Sequence, residues 1–184
     1  QTLVLDFNQL TQVPSVVSTL KQLRVFSARG NKITSVHGGI CDCPFMRSIN
    51  LADNDIVDVP WEIGSLQCLE ILELKGNPRI DMPPLEIIQT QGSRGALQYL
   101  VRLCQLRINS LCDLSSMDLS EPTLPATVLA QSYLAGLSLS QNKLTTLDDT
   151  VALLSNSLVN LFLDDNRMEV IPAVISKLTR LKTL

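Results

Sequence analysis

The sequence predicts an α/β solenoid, in which short parallel strands form a curved sheet on the concave side and short helices, 3-10 turns and loops form the convex side. Two observations lead to this fold class. Leucine accounts for 33 of the 184 residues, whereas phenylalanine, tyrosine and tryptophan together number only seven. Asparagine recurs every 23 residues in the first part of the chain, at Asn8, Asn31, Asn54 and Asn77. A fixed period of this length is typical of a chain built from one small unit repeated along an axis.

The repeated unit follows the template Leu-x-x-Leu-x-Leu-x-x-Asn-x-Leu, in which other aliphatic residues can replace leucine. Around Asn54 it reads Met46, Ile49, Leu51 and Ile56. Alternate side chains of a strand point to one side, so stacked strands merge their leucines into a core. An asparagine amide carries donors and an acceptor for the backbone groups that are left at the turn after each strand. We therefore expect a structural ladder formed by Asn8, Asn31, Asn54, Asn77, Asn142 and Asn166.

The pattern divides the chain into three predicted parts. A first block of repeats covers residues 1–84, a helical insertion covers 85–113, and a second block covers 114–184. Because the first and last motifs are incomplete, we expect the chain to be a segment of a longer protein or to be covered at its ends by a neighbour.

The helical insertion and the second block each carry one specific prediction. In the insertion, Ser93 is the expected N-cap of a helix whose apolar stripe docks on the end of the first block. In the second block, the first repeat is expected to be degenerate, with Pro122 at the asparagine position. The predicted stripe is Leu97, Leu100, Val101, Cys104 and Ile108, and the degenerate repeat is Leu114, Met117, Leu119 and Leu124.

The repeats resemble the 23-residue class of leucine-rich repeats found in intracellular scaffold proteins. The resemblance includes an aliphatic-proline pair, seen in Val13-Pro14, Val59-Pro60 and Ile171-Pro172. The pairs Val36-His37 and Leu147-Asp148 depart from it. A second resemblance, to leucine-rich-repeat-containing protein 40 and its relatives, lies in the element after the first block. It is carried by Gly76-Asn77-Pro78, Ile87-Ile88, Gln91-Gly92-Ser93 and Ala96-Leu97-Gln98-Tyr99-Leu100.

Composition and charge exclude several classes of partner. A net charge of -3 argues against binding to nucleic acid or to an anionic membrane surface. No apolar run is long enough to span a bilayer, and the first ten residues lack the pattern of a signal peptide. The five cysteines are odd in number and irregularly spaced, which indicates reduced thiols. We expect a cytoplasmic protein, with the nucleus as the alternative compartment.

The variable positions beside the core leucines are the candidates for function. We expect a non-catalytic scaffold that binds a protein partner through the concave face, with Val25, Ile71 and Phe162 as apolar anchors. An acidic patch in the second block would steer a basic partner. The alternative is that these residues are the solvated side of a sheet. The candidate partner-binding residues are Val25, Arg29, Asn50, Ile71, Glu73, Asp118, Glu121, Phe162, Asp164 and Asp165.

An enzyme is the rival class, and the sequence gives it little support. No nucleotide-binding, zinc-protease or serine-hydrolase motif is present, so we expect no catalytic residues, no cofactor and no small-molecule substrate. His37, Cys41 and Cys43 lie close in sequence, but their spacing is not that of a zinc site, and we expect no metal. Two further alternatives stay open. The chain could be the recognition arm of a larger enzyme of ligase or GTPase type, or an architectural part of a cytoskeletal or axonemal assembly.

Overall fold

The structure is a computed structural model that describes residues 1–106, 109–120, 124, 126–129 and 132–184. It divides into two compact units, Gln1–Cys104 and Gln105–Leu184. Each unit contains one parallel sheet whose strands are separated along the chain by loops and short helices. The predicted α/β solenoid of leucine-rich repeats is confirmed.

The first unit contains a four-stranded sheet in the order β1, β2, β3, β4. The middle residue of each strand points into the core, and in-register pairing aligns Leu3, Phe26, Ile49 and Leu72 across the sheet. Phe26, Ile49 and Leu72 have no solvent-exposed surface. One aliphatic or aromatic side chain per strand thus builds a continuous core row. The strands are Thr2–Val4, Val25–Ser27, Ser48–Asn50 and Ile71–Glu73.

A 3-10 helix follows each of the first three strands of this unit, at Ser15–Thr19, Gly38–Asp42 and Trp61–Ser65. Pro14 and Pro60 precede the first and the third of these helices. His37 takes the same place before the second, where its Nδ1 accepts a hydrogen bond from the backbone N–H of Gly39 at 3.0 Å. His37 is therefore a capping residue of the turn.

Helix α1, Leu85–Gln105, packs on the last repeat of the first unit. It is broken at Gly92, whose φ of 62° and ψ of -151° are not helical. A glycine adopts a positive φ without steric cost. Where the second half of the helix crosses the preceding repeat, Gly64 touches the carbonyl of Leu100 so closely that a Cβ there would overlap it.

The N-terminal end of the second half of α1 occupies the place of a further strand. The Ser93 hydroxyl accepts a hydrogen bond from the backbone N–H of Leu72 in β4 at 2.8 Å, so it satisfies a donor at the open edge of the sheet. The buried face differs from the predicted stripe by one position. Leu97, Val101 and Cys104 are half-buried and Ile108 lies outside the described residues. The small residues Gly95 and Ala96 allow close approach, and the buried face comprises Gly95, Ala96, Tyr99, Leu100 and Leu103.

The second unit contains a three-stranded parallel sheet in the order β5, β6, β7. The core row is Cys112, Leu137 and Leu161, none of which has solvent-exposed surface. The strands are Leu111–Asp113, Gly136–Ser138 and Asn160–Phe162, the short helix α2 is Ala126–Leu129, and 3-10 helices lie at Asp149–Leu154 and Ala173–Lys177.

The frame predicted for the first repeat of the second unit is wrong. Its strand is β5, inside the range predicted as insertion, so Cys112 and Leu114 are its core residues and Met117 takes the asparagine position. Backbone geometry gives the same frame, because a residue with positive φ precedes the asparagine position in every repeat. Pro122 lies outside the described residues. The positive-φ residues are Phe7, Gly30, Asp53, Gly76, Ser116, Gln141 and Asp165.

The asparagine side chains connect consecutive coils. Asn54 shows the arrangement: its Nδ2 donates to the carbonyl of Ala28 in the preceding coil at 3.0 Å and to two carbonyls of its own coil, Leu51 and Ala52. Its Oδ1 accepts from the N–H of Ile33 at 3.0 Å. Matching bonds to the preceding coil are made by Asn31, Asn77, Asn142 and Asn166.

Asn8, in the first repeat, is exposed and bonds only to carbonyls of its own coil, those of Leu5 and Asp6. Its side chain is therefore not part of a connection to a preceding coil.

We expect Asn54→Ala to lower the free energy of unfolding by about 1–3 kcal/mol, because it leaves buried backbone groups without partners. The matched variant Asn8→Ala removes two exposed hydrogen bonds and should change stability by less than about 0.5 kcal/mol. Urea denaturation followed by circular dichroism measures both. Equal losses for the two variants would contradict the role assigned to the buried amide.

Candidate functional site

The first face is the outward side of β1 to β4 together with the two turn residues before each asparagine. Its strand residues are Thr2, Val4, Val25, Ser27, Ser48, Asn50, Ile71 and Glu73. Val4 and Ile71 expose 57% and 45% of their surface. Val25, Asn50 and Glu73 are half-buried. The two exposed aliphatic side chains lie on the two outer strands of the sheet.

The turns of the first face hold a chain of contacts around Arg29. The Phe7 ring lies over Gly30, where a Cβ would come within 2.6 Å of its Cδ1 atom. The Arg29 guanidinium lies 5.8 Å from the centroid of the Phe7 ring, and its Nε is 2.8 Å from Oδ2 of Asp53. The Asp53 carboxylate in turn lies over Gly76. Along the turns, Phe7 and Asp53 thus alternate with Gly30 and Gly76, and each of the two side chains covers the next glycine.

The backbone beside Arg29 is fixed by Asp6. One carboxylate oxygen of Asp6 accepts hydrogen bonds from the Ser27 hydroxyl at 2.6 Å and from the Arg29 N–H at 2.9 Å. On the next strand, Asn50 accepts from the N–H of Ala52 at 3.1 Å. These bonds position polar side chains of the first face before any partner arrives.

The second face is the corresponding outward side of β5 to β7. The Leu111 side chain covers Gly136 of the next strand, where a Cβ would lie 2.7 Å from Leu111 Cδ1. Leu111 and Phe162 expose 44% and 38% of their surface. The strand residues of this face are Leu111, Asp113, Gly136, Ser138, Asn160 and Phe162, and the turn residues are Ser115, Ser116, Ser140, Gln141, Asp164 and Asp165.

The acidic patch differs from the predicted one because the frame of the first repeat is shifted. Asp118 follows the asparagine position instead of lying on the face, has a φ of 60°, and forms an ion pair with Lys143 at 3.2 Å. Glu121 lies outside the described residues. Asp164 and Asp165 are exposed on the second face, and Oδ1 of Asp164 accepts a hydrogen bond from the Ser140 hydroxyl at 2.5 Å.

Sequence reasoning missed Leu111 and Asp113, which lie on the outward side of β5. The signal was present, because Cys112, Leu114 and Leu119 fit the template once methionine is allowed at the asparagine position. Leucine and methionine occur at so many nearby positions that two frames match the template. Strand pairing and the positive φ of Ser116 separate them.

The thiols of Cys43 and Cys41 are poorly placed for nucleophilic attack. Cys43 is fully buried at a core leucine position and its Sγ donates to the carbonyl of Val17 at 3.2 Å. Burial, together with the negative charges of Glu62, Cys104 and Asp42, raises the pKa of the Cys41 thiol to about 12. Within the described part of the chain, no three His, Cys, Asp or Glu side chains are grouped so that they could hold a metal ion.

One known protein is similar to this chain along nearly the whole length of the chain. The chain is 26% identical over 191 residues to the protein flightless-1 homolog of Caenorhabditis elegans, an alignment that covers 98% of this chain and 15% of that protein. No family model matches the sequence. The repeats and the parallel sheets give this chain the leucine-rich-repeat solenoid fold.

Similar solved structures include a leucine-rich-repeat protein of Leptospira interrogans, with 23% identity and a TM-score of 0.39 over 99% of this chain and 53% of that one. An internalin from Listeria monocytogenes has 22% identity and a TM-score of 0.41 over 99% of this chain and 46% of that one. The chain therefore spans about half the length of these two structures and a smaller share of the flightless-1 homolog. Among the residues that the structure describes, no helix is both long and apolar enough to span a bilayer.

We expect iodoacetamide to modify Cys68, which is exposed, far faster than Cys41 at pH 8. With a pKa of about 12, roughly one Cys41 thiol in ten thousand is the reactive thiolate at that pH. A time course of alkylation followed by peptide mass spectrometry measures both rates in the folded protein. Alkylation of Cys41 as fast as Cys68 would show that the Cys41 thiol is activated.

Proposed function

We propose that the protein is a non-catalytic scaffold that binds a protein partner through the outward faces of its two sheets. One observation carries the proposal: both faces present large apolar side chains to solvent. These are Val4 and Ile71 on the first face and Leu111 and Phe162 on the second. Apolar residues surrounded by fixed polar groups are the usual composition of protein-binding surfaces.

The construction of the faces supports the proposal. The core positions of each repeat are occupied by buried aliphatic side chains. A substitution at an outward strand position, beside a core residue, therefore changes the surface and leaves the core unchanged. On the first face, hydrogen bonds and the ion pair between Arg29 and Asp53 hold the polar groups in one arrangement. A fixed surface loses less conformational entropy when a partner binds.

The proposal also covers the lack of catalysis, the cellular compartment and the relationship to a subfamily. A scaffold needs no active site, and the high pKa of Cys41 argues against a nucleophilic thiol in this part of the chain. The free cysteines favour the cytoplasm, or the nucleus as the alternative compartment. The broken helix that follows the first sheet, with Gly92 and Ser93 at the break, supports a relationship to leucine-rich-repeat-containing protein 40 and its relatives.

The experiment is affinity capture with the full chain, in which bound proteins are quantified by mass spectrometry. We expect Ile71→Asp to reduce capture of the specific partner by at least about tenfold, because a charge replaces one of the exposed apolar side chains of the first face. Val16→Asp is the matched control, since Val16 is 58% exposed in the 3-10 helix Ser15–Thr19, outside the first face.

Thermal unfolding of both variants checks that each is folded, and Val4→Asp provides a second substitution on the first face. If Ile71→Asp and Val4→Asp both retain the partner while Val16→Asp loses it, the partner binds elsewhere and the proposal is wrong.

A further inference from the structure

We infer that the second face receives an extended polypeptide segment in which one aliphatic side chain is flanked by arginine or lysine. The inference rests on the proposed function and specifies the chemistry of the partner. It depends on two features of this face, an apolar furrow and a set of carboxylates at its end.

The furrow lies above Ser138, the second outward residue of β6. Ser138 pairs with Asp113 on one side and with Phe162 on the other, and the Leu111 side chain covers Gly136, the first outward residue of β6. The furrow is therefore bounded by Phe162, by the Leu111 side chain and by the carboxylate-bearing residue Asp113. A leucine or isoleucine side chain of a partner fits above Ser138, against Leu111 and Phe162. The contact would cover the exposed parts of both apolar side chains.

The charges of the second face have one sign. None of its outward or turn positions carries lysine or arginine. The first face, by contrast, has Arg29 and Lys75 among its acidic residues. The cations that follow the asparagine positions of the two neighbouring repeats are Lys143, which is paired with Asp118, and Arg167. In the described part of the chain, neither forms an ion pair with Asp164 or Asp165. A basic segment would therefore find unneutralised carboxylates at the end of β7.

The Asp164 carboxylate is held in place before binding. The Ser140 hydroxyl donates to its Oδ1 atom, and Ser140 itself is only 8% exposed. The second oxygen of the carboxylate stays available to a guanidinium or ammonium group. Because the direction of the carboxylate is fixed, a partner's cation meets a defined position along the strand.

An extended segment matches this spacing. Side chains at positions i and i+2 of an extended chain point to the same side, about 7 Å apart. A leucine seated in the furrow therefore places a residue two positions away towards Asp164 and Asp165, within reach of a long basic side chain. An alternating pattern of basic and apolar residues fits this face, and an acidic segment is repelled.

The test is an NMR titration of the isotopically labelled full chain with the peptide Gly-Arg-Ser-Leu-Ser-Arg-Gly. We expect amide shifts at Gly136, Ser138 and Phe162. Phe162→Ala should weaken the dissociation constant by about tenfold, as removal of an interface anchor does. The double variant Asp164→Lys with Asp165→Lys should weaken it by at least about tenfold at low ionic strength, and by less at high salt.

The matched control is Asp42→Lys with Asp55→Lys, which changes the net charge by the same amount at two exposed positions of the first unit that belong to neither face. It should leave the affinity within about twofold, because neither residue contributes a charge to the second face. Two control peptides carry serine in place of leucine, or glutamate in place of both arginines, and both should bind more weakly.

The inference is overturned if the glutamate peptide binds as well as the arginine peptide, if the two double variants behave alike, or if the arginine peptide produces no shifts on the second face. A partner captured through Ile71 would survive that outcome. Failure of the inference and failure of the proposed function are therefore distinguishable.

Discussion

Side-chain amides that join one coil to the preceding one are the interaction on which this structure depends. A three-residue strand followed at once by a turn leaves carbonyls and N–H groups between coils with no backbone partner. Asn31, Asn54, Asn77, Asn142 and Asn166 each supply an acceptor and a donor to the coil before. Aliphatic side chains can fill the space between coils, but they cannot satisfy those groups. Leucine therefore provides the core, and asparagine sets the frame in which the leucines stack.

The turn that brings each asparagine inward also shapes the surface. The residue before it has a positive φ in every repeat, a conformation that costs glycine little and other residues more. On the first unit this position alternates between a residue with a side chain and glycine, so Phe7 covers Gly30 and Asp53 covers Gly76. The backbone requirement of the ladder thus places an exposed aromatic ring and a carboxylate beside Arg29, on the face that we propose binds a partner.

The sequence predicted the fold class, the repeat period and the buried leucine positions because these follow from one periodic constraint. The prediction failed where a repeat lacks the asparagine. Met117 stands in place of the asparagine, so nothing in the pattern marked the frame, and Asp118 was assigned to the face although it follows the asparagine position. The buried face of α1 was displaced because Ala96 and Tyr99 pack where the pattern favoured Leu97 and Val101. His37 and Asp148 depart from the proline pattern, yet each caps its turn through a side-chain acceptor.

The most direct test of this account is amide hydrogen exchange at the degenerate repeat. Oδ1 of Asn142 accepts hydrogen bonds from the N–H groups of both Met117 and Leu119 at 3.0 Å, whereas the N–H of Leu144 donates to Asn166. The account predicts that the Met117 and Leu119 amides are protected in the native protein, and that Asn142→Ala lowers the protection of both by at least about tenfold while Leu144 stays protected. Free exchange of Met117 in the native protein, or unchanged protection of both amides in the variant, would contradict it.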